Sequence, residues 1–195
     1  MLTNLPKGSK ITIKQDGPNP IISIPYASPN PLKYLIGLFI LFWLGGWAVG
    51  FKSAFEQVIS GEADVFLVFW LGGWSIGGFF AGFSLFRIFQ PPISATLTLN
   101  PRSLSYDSGI PPLELQYMNR YRRDAWKNYF PRRKKVEITL SDLRTMRLRS
   151  TDTSNRLTID VGVERLDIAS GAGEIEREWL YKTIHNYYRL ADRQN

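Results

Sequence analysis

The chain has 195 residues, with 24 lysines and arginines against 17 aspartates and glutamates, a net charge of +7. It has no cysteine and one histidine, which excludes disulfide scaffolds, zinc–thiolate sites, iron–sulfur clusters, thiol catalysis and multi-histidine metal centres. The length suits one ordinary domain with a modest addition, or two small units. Mean hydropathy is −0.15, but this average hides a split: apolar residues concentrate between 32 and 89, and charges mostly follow residue 100.

Residues 1–31 carry a β-hairpin pattern. Residues 10–14 (KITIK) and 21–25 (IISIP) alternate, and the turn sequence DGPNP separates them. Such a hairpin is too short to stand alone, so it is expected to join strands that follow the apolar region.

Residues 32–51 (LKYLIGLFILFWLGGWAVGF) carry one charge, Lys33, and residues 65–86 (VFLVFWLGGWSIGGFFAGFSLF) carry none. A bilayer core of about 30 Å needs roughly 20 apolar residues in a helix. Neither stretch shows the polar stripe of a soluble helix. The first starts too deep and runs too long for a cleaved secretory signal. A transmembrane helical hairpin over 32–89 is predicted. Lys7, Lys10, Lys14 and Lys33 precede the spans, Lys52 stands against Glu56, Glu62 and Asp64 between them, and Arg87 and a basic region follow. The positive-inside rule then puts both termini in the cytoplasm. The membrane is the plasma (inner) membrane, or a thylakoid membrane in a photosynthetic source.

The hexapeptide FWLGGW occurs at 42–47 and again at 69–74. Counted from Phe51 and Val65, the pairs Gly45/Gly46 and Gly72/Gly73 lie at similar depth. Small residues also recur every fourth position: Gly46, Gly50 and Ala54; Gly73, Gly77 and Ala81; Gly78 and Gly82. Such ridges let helices approach closely in lipid. These glycines are expected to pack the hairpin, and a second glycine face on the second span is placed to dock on a partner's helix. Trp43, Trp47, Trp70 and Trp74 suit packing and interface anchoring, or stacking on a pigment or sterol. No ionisable residue sits deep in either span, which argues against transport and proton relay.

Residues 90–195 read as a cytoplasmic β domain. Strands are expected at 95–100, 103–107, 136–140, 145–149, 156–161 and 164–168, about eight with the first two. Their inward residues are Ile138 and Leu140, Met146 and Leu148, Leu157, Ile159 and Val161, Leu166 and Ile168. One helix closes the chain over 174–190, with Ile175, Trp179, Ile184, Tyr187 and Ala191 near one stripe and Leu180 and Tyr188 beside it. Glu174, Glu176 and Glu178 suit its positive end. The fold class is α+β: a transmembrane hairpin inserted in a small antiparallel β-sandwich or barrel, capped by a C-terminal helix.

The segment 113–135 departs from the strand pattern. It holds Arg120, Arg122, Arg123, Lys127, Arg132, Arg133, Lys134 and Lys135 against Glu114 and Asp124, with Tyr117, Tyr121, Trp126, Tyr129 and Phe130 interleaved. Three readings stay open: a solvated loop, a segment on the anionic cytoplasmic leaflet, or a docking arm for an acidic partner. No nucleic-acid motif accompanies it.

Catalytic chemistry is not visible. Asp142, Glu164, Asp167 and Glu174 are scattered on turns and strand ends, with nothing pairing them as acid and base. His185 lies in the last helix. Ser170-Gly171-Ala172-Gly173 reads as a turn and helix cap. No cofactor is expected.

The repeated FWLGGW, the run VEITLSDLRTMRLR, and RLTIDVGVERLDIASGAGEIEREWLY entering the last helix together resemble bacterial two-span membrane proteins with a pleckstrin-homology-like (PH-like) cytoplasmic domain. The resemblance implies a seven-stranded sandwich with a capping helix and no enzyme activity. The expected function is assembly, scaffolding or regulation of a membrane complex. A homo-oligomeric channel and an anionic-lipid sensor are the alternatives. The expected partners are the bilayer, its anionic head groups, and other membrane subunits or further copies of the chain.

Overall fold

The structure is a computed structural model, and it describes residues 4–17, 19–26, 31–113, 130–150 and 155–190. The chain is α+β and divides into two compact units. One is a β unit built from residues 1–27, 92–111 and 131–195; the other is built from 28–91 and 112–130 and holds the two long helices.

The β unit begins with β1 (Thr12–Asp16) and β2 (Asn19–Ile24), paired antiparallel from Thr12↔Ser23 to Asp16↔Asn19. Pairing therefore runs to Asp16↔Asn19, inside the DGPNP motif. Gly17 supplies the positive φ that such a tight turn requires. Next come β3 (Ala95–Leu99), β4 (Ser103–Asp107) and β5 (Lys135–Thr139), completing a sheet in the order β1-β2-β3-β4-β5. β2 pairs with β3 from Ile21↔Thr98 to Ile24↔Ala95, so both ends of the helical insertion return to one strand pair. A second antiparallel sheet has the order β6-β7-β8, from β6 (Arg147–Ser150), β7 (Asn155–Val161) and β8 (Glu164–Ile168). Eight strands are present among the described residues, one more than the PH-like resemblance implies.

The strands form because alternation gives each a buried face. In β3, Ala95, Leu97 and Leu99 point inward, and Thr96 and Thr98 outward. Ile22, Leu97, Leu104 and Ile138 of the first sheet share one core with Leu157, Ile159 and Ile168 of the second, and with Leu180 and Ile184 of α3 (Glu174–Tyr187). Each such side chain contributes about 1.5–3 kcal/mol by leaving water.

Three expectations are corrected in this unit. Leu140 does not continue β5. Thr139 instead caps a single helical turn, Leu140–Leu143, in a reciprocal capping box with Asp142, and Leu143 takes the buried place. Met146 is buried but precedes β6, because Thr145 turns its hydroxyl to Asp160, accepting from its N–H at 2.9 Å and donating to its carbonyl at 3.1 Å. In α3, Ile175 is 72% exposed, and the buried stripe runs through Trp179, Leu180, Thr183 and Ile184. The helix ends at Tyr187, earlier than residue 190, where Arg189 takes a positive φ. Ala191 lies outside the described residues.

The helical unit contains α1 (Leu32–Ile59) and α2 (Val65–Phe89), joined by residues 60–64. At about 1.5 Å per residue they are roughly 42 and 38 Å long. Both are long and apolar enough to cross a membrane, and their most apolar windows are only 6% and 11% buried. α1 therefore runs past Phe51, where the apolar stretch stops. Lys52 pairs with Glu56 at 3.8 Å, Ala54 is buried, and Phe51 stacks on Phe55 with centroids 6.0 Å apart, so two further turns are supported. Asp64 then caps α2, accepting from Leu67 N–H at 2.7 Å.

Candidate functional site

The hairpin closes through tryptophans seated on glycines. The Trp74 ring would lie 2.8 Å from a Cβ at Gly50, and the Trp47 ring would overlap one at Gly78. Trp47 Nε1 also donates to the Trp74 carbonyl at 3.2 Å, which satisfies the indole away from water. Further along, a Cβ at Gly37 would sit 2.5 Å from the Phe89 ring, a contact the repeat does not announce. Each copy of FWLGGW thus sends its last residue against a glycine of the other helix.

The glycine pairs inside the repeat do something else. Gly45, Gly46, Gly72 and Gly73, with Gly77 and Gly82, would each accept a Cβ with nothing within 4 Å. Of the glycines expected to pack the hairpin, Gly50 and Gly78 do so. The two pairs are also not level. Because α1 extends to Ile59, Gly45/Gly46 lie roughly 9 Å deeper from the turn than Gly72/Gly73. Each pair lies beside an open aromatic groove instead. Phe39, Phe42, Trp43, Gly46 and Trp47, with Trp74 of α2, line one of about 500 Å³, and the counterparts of the first five 27 positions on, Phe66, Phe69, Trp70, Gly73 and Trp74, line another of about 440 Å³. Exposure matches across the copies, 83% for both Phe42 and Phe69, so the two helices present the same surface twice.

Of the basic segment, Arg120, Arg122, Arg123, Trp126 and Lys127 lie outside the described residues. Phe130 stacks on Phe83 of α2, centroids 4.8 Å apart. Arg132 is exposed. Arg133 holds Asp107 through both carboxylate oxygens, with its shortest contact at 2.7 Å. Lys135 stands 3.8 Å from the same carboxylate, and Lys134 reaches Glu164 at 3.3 Å. The Arg133 hydrogen bonds keep Asp107 below the usual carboxylate range against the opposing effect of burial, helped by Gly109 N–H and Lys135. Much of the described positive charge here is therefore spent within the β unit.

A different cationic surface emerges from the second sheet. Register pairs Arg149 with Arg156 and Arg147 with Thr158, so Arg147, Arg149 and Arg156 share the outer face of β6 and β7, all exposed. Alternation in the sequence places each arginine outward, but only the strand register shows that two of them stand opposite one another.

Three of the four scattered carboxylates, all but Asp167, have local hydrogen-bond or ion-pair partners. Asp142 closes the capping box, Glu164 holds Lys134, and Glu174 accepts from Asn155 N–H at 3.2 Å. Glu176 accepts from Ser9 Oγ at 2.6 Å, Gly173 N–H at 2.8 Å and Lys10 N–H at 3.0 Å. Burial pushes its carboxyl up, but the hydrogen bonds from Ser9, Gly173 and Lys10 outweigh it and hold it below its ordinary value. Residues 170–173 thus serve as turn and cap, with Glu176 as the capping side chain. His185 lies beside Tyr181, ring centroids 5.6 Å apart. No group of three histidines and carboxylates that would hold a metal ion occurs among the described residues. No family model, curated protein or solved structure matches this chain.

Proposed function

We propose that this chain is a non-enzymatic integral membrane protein. The hairpin of α1 and α2 anchors it, and the β unit serves on the cytoplasmic side as a scaffold or regulatory surface for a membrane complex. The observation that carries the reading is the exposure of the two helices: apolar windows only 6% and 11% buried leave a surface that water does not tolerate and acyl chains do. The insertion supports a scaffold. Both helix ends return to the strand pair closed by Ile24↔Ala95, so the β unit is tethered twice, through residues 25–31 and 90–94. Arg87 in the last turn of α2, with the RRKK run that follows Phe130, supports placing that end inside. The five-strand and three-strand meanders closed by α3 support a PH-like reading of the β unit.

The native mass of the protein, extracted in mild detergent from its own membrane with co-purifying chains identified, tests this. A fixed assembly with different proteins is expected. A ring of identical copies that conducts ions in liposomes overturns the scaffold in favour of a pore. Ser75 and Ser84 make a pore harder to build, because their hydroxyls donate to their own helix carbonyls at 2.7 Å. A reporter inserted at Gly61, in the turn between the helices, is expected on the outer side. A cytoplasmic reporter overturns the topology.

A further inference from the structure

We infer that the outer face of β6 and β7 is a contact surface for the phosphate groups of an anionic bilayer, made by Arg147, Arg149 and Arg156. The inference rests on the membrane-anchor reading and extends it to a site outside the basic segment that the sequence singles out.

The register makes the face. Arg149 and Arg156 are direct partners across the antiparallel pair, which sets their Cβ atoms roughly 5 Å apart. Arg147 is two residues along β6 on the same side, about 7 Å away. Like charges placed directly opposite destabilise a strand pair. None of these three side chains forms an ion pair or hydrogen bond with another described residue. The neighbouring acid Asp160 is held by Arg165, at 2.6 Å and 3.3 Å, across the register pair Asp160↔Arg165. Among the described residues, the remaining acid of the face is Asp167, opposite Thr158, and Arg156 is close enough to act on its carboxyl. Among the described residues, four arginines against two aspartates leave the face positive, and the excess collects at its β6 edge.

An oxyanion between Arg149 and Arg156 turns this repulsion into two charge-assisted contacts. The guanidinium fork suits phosphate geometry. A bilayer fits better than an acidic protein segment, because the face offers three exposed guanidinium groups in one plane, which suits a surface of many phosphates. The double tether also keeps the β unit at high local concentration next to lipid.

The full-length chain in lipid nanodiscs tests the inference, with amide hydrogen exchange read on β6 and β7. Discs containing phosphatidylglycerol are expected to slow exchange there roughly fivefold relative to phosphatidylcholine discs. About 1 M salt, where screening shortens to about 3 Å, removes the effect. The triple variant Arg147→Gln, Arg149→Gln, Arg156→Gln loses the protection while exchange in β8 and α3 stays unchanged. Substituting Arg132, Arg133, Lys134 and Lys135 by Gln leaves it in place. Equal exchange in both disc types overturns the inference, as does protection that survives the triple variant. Protection in neutral discs produced by inorganic phosphate or by polyglutamate, with none from phosphatidylglycerol, moves the ligand to a free phosphate or an acidic protein and also overturns it. The salt comparison needs no variant, so the outcome does not depend on the triple variant folding. A chain that does not enter the discs sinks the anchor reading and this inference together, whereas one that enters without protection sinks this inference alone.

Discussion

Leu157 and Phe42 are both large apolar residues in regular secondary structure, yet Leu157 is fully buried in β7 and Phe42 is 83% exposed on α1. The contrast extends across the two units. In the β unit, apolar side chains from eight strands and α3 meet in one core, and charge lies outside. In the hairpin, Leu38, Phe39, Phe42, Phe66, Phe69 and Phe79 face outward, and the inner contact is tryptophan on glycine. Hydrophobic burial from water explains the first arrangement and cannot explain the second. In the membrane-anchor reading proposed above, two helices with apolar faces on all sides gain nothing by meeting in lipid except packing, which fits a contact set by glycines that admit a flat ring.

The largest effect expected from this difference is in paired truncations. Leu157→Ala removes a fully buried side chain and should cost the β unit about 3 kcal/mol. Phe42→Ala removes an exposed one and should cost less than about 0.5 kcal/mol. Denaturant unfolding of the detergent-solubilised chain, followed by its β signal for Leu157→Ala and its helical signal for Phe42→Ala, measures both. A Phe42→Ala penalty equal to that of Leu157→Ala means the helices pack in a water-soluble core, and the comparison collapses.

The sequence carried the β unit's organisation well, because alternation is local. Ala95, Leu97 and Leu99 announce β3, and Leu166 and Ile168 announce β8, with no knowledge of their neighbours. Its misses occur where another interaction competes. Leu140 continues the alternation of β5, yet the T-x-x-D of Thr139 and Asp142 is a helix start. Ile175 fits the stripe of α3, yet it belongs to the first turn, where Glu176 faces Ser9 and Ile175 faces water. The candidate sites were harder still, because they depend on register between segments. Level glycine pairs follow only if α1 ends at Phe51. Two more turns, through Lys52 and Glu56, shift one pair along the other helix, and the ring contacts fall to Gly50 and Gly78 instead. Likewise Arg149 and Arg156 are seven residues apart in sequence, and nothing short of the β6–β7 pairing makes them neighbours.

A second pair of substitutions sharpens the comparison within the hairpin. At Gly78 a Cβ overlaps the Trp47 ring, while at Gly73 it meets open space. Gly78→Val should therefore destabilise helix pairing by about 1–3 kcal/mol, and Gly73→Val should leave it intact. Spin labels at Leu35 and Phe86, both outward-facing, report this as a broadened distance distribution for the first variant only. Trp47→Ala in the Gly78→Val background should narrow it again. Equal broadening by both valines would return the contact to the glycine pairs of the repeat.

The smallest effect separates the units by pH. Glu176 ties residues 9 and 10 to the start of α3 through three hydrogen bonds, whereas the Trp47–Gly78 and Trp74–Gly50 contacts of the hairpin contain no group that titrates. The Glu176 carboxyl is held below its ordinary value of 4.5, so the folded state binds its proton less readily than the unfolded chain does. Its stabilisation is fully present above about pH 4.5 and is lost as the pH falls through the lower folded value. Asp107, lowered chiefly by Arg133, adds to the same slope. Glu176→Ala should cost about 1 kcal/mol at neutral pH, as loss of a capping interaction does, and Glu176→Gln should flatten the acid limb of β-unit stability while leaving the share due to Asp107. The distance between labels at Leu35 and Phe86 should not change over the same range. An acid limb unaltered by Glu176→Gln would mean the carboxylate contributes nothing there beyond what the neutral amide supplies, and a hairpin that opens with the β unit would mean that the two units do not answer to different solvents.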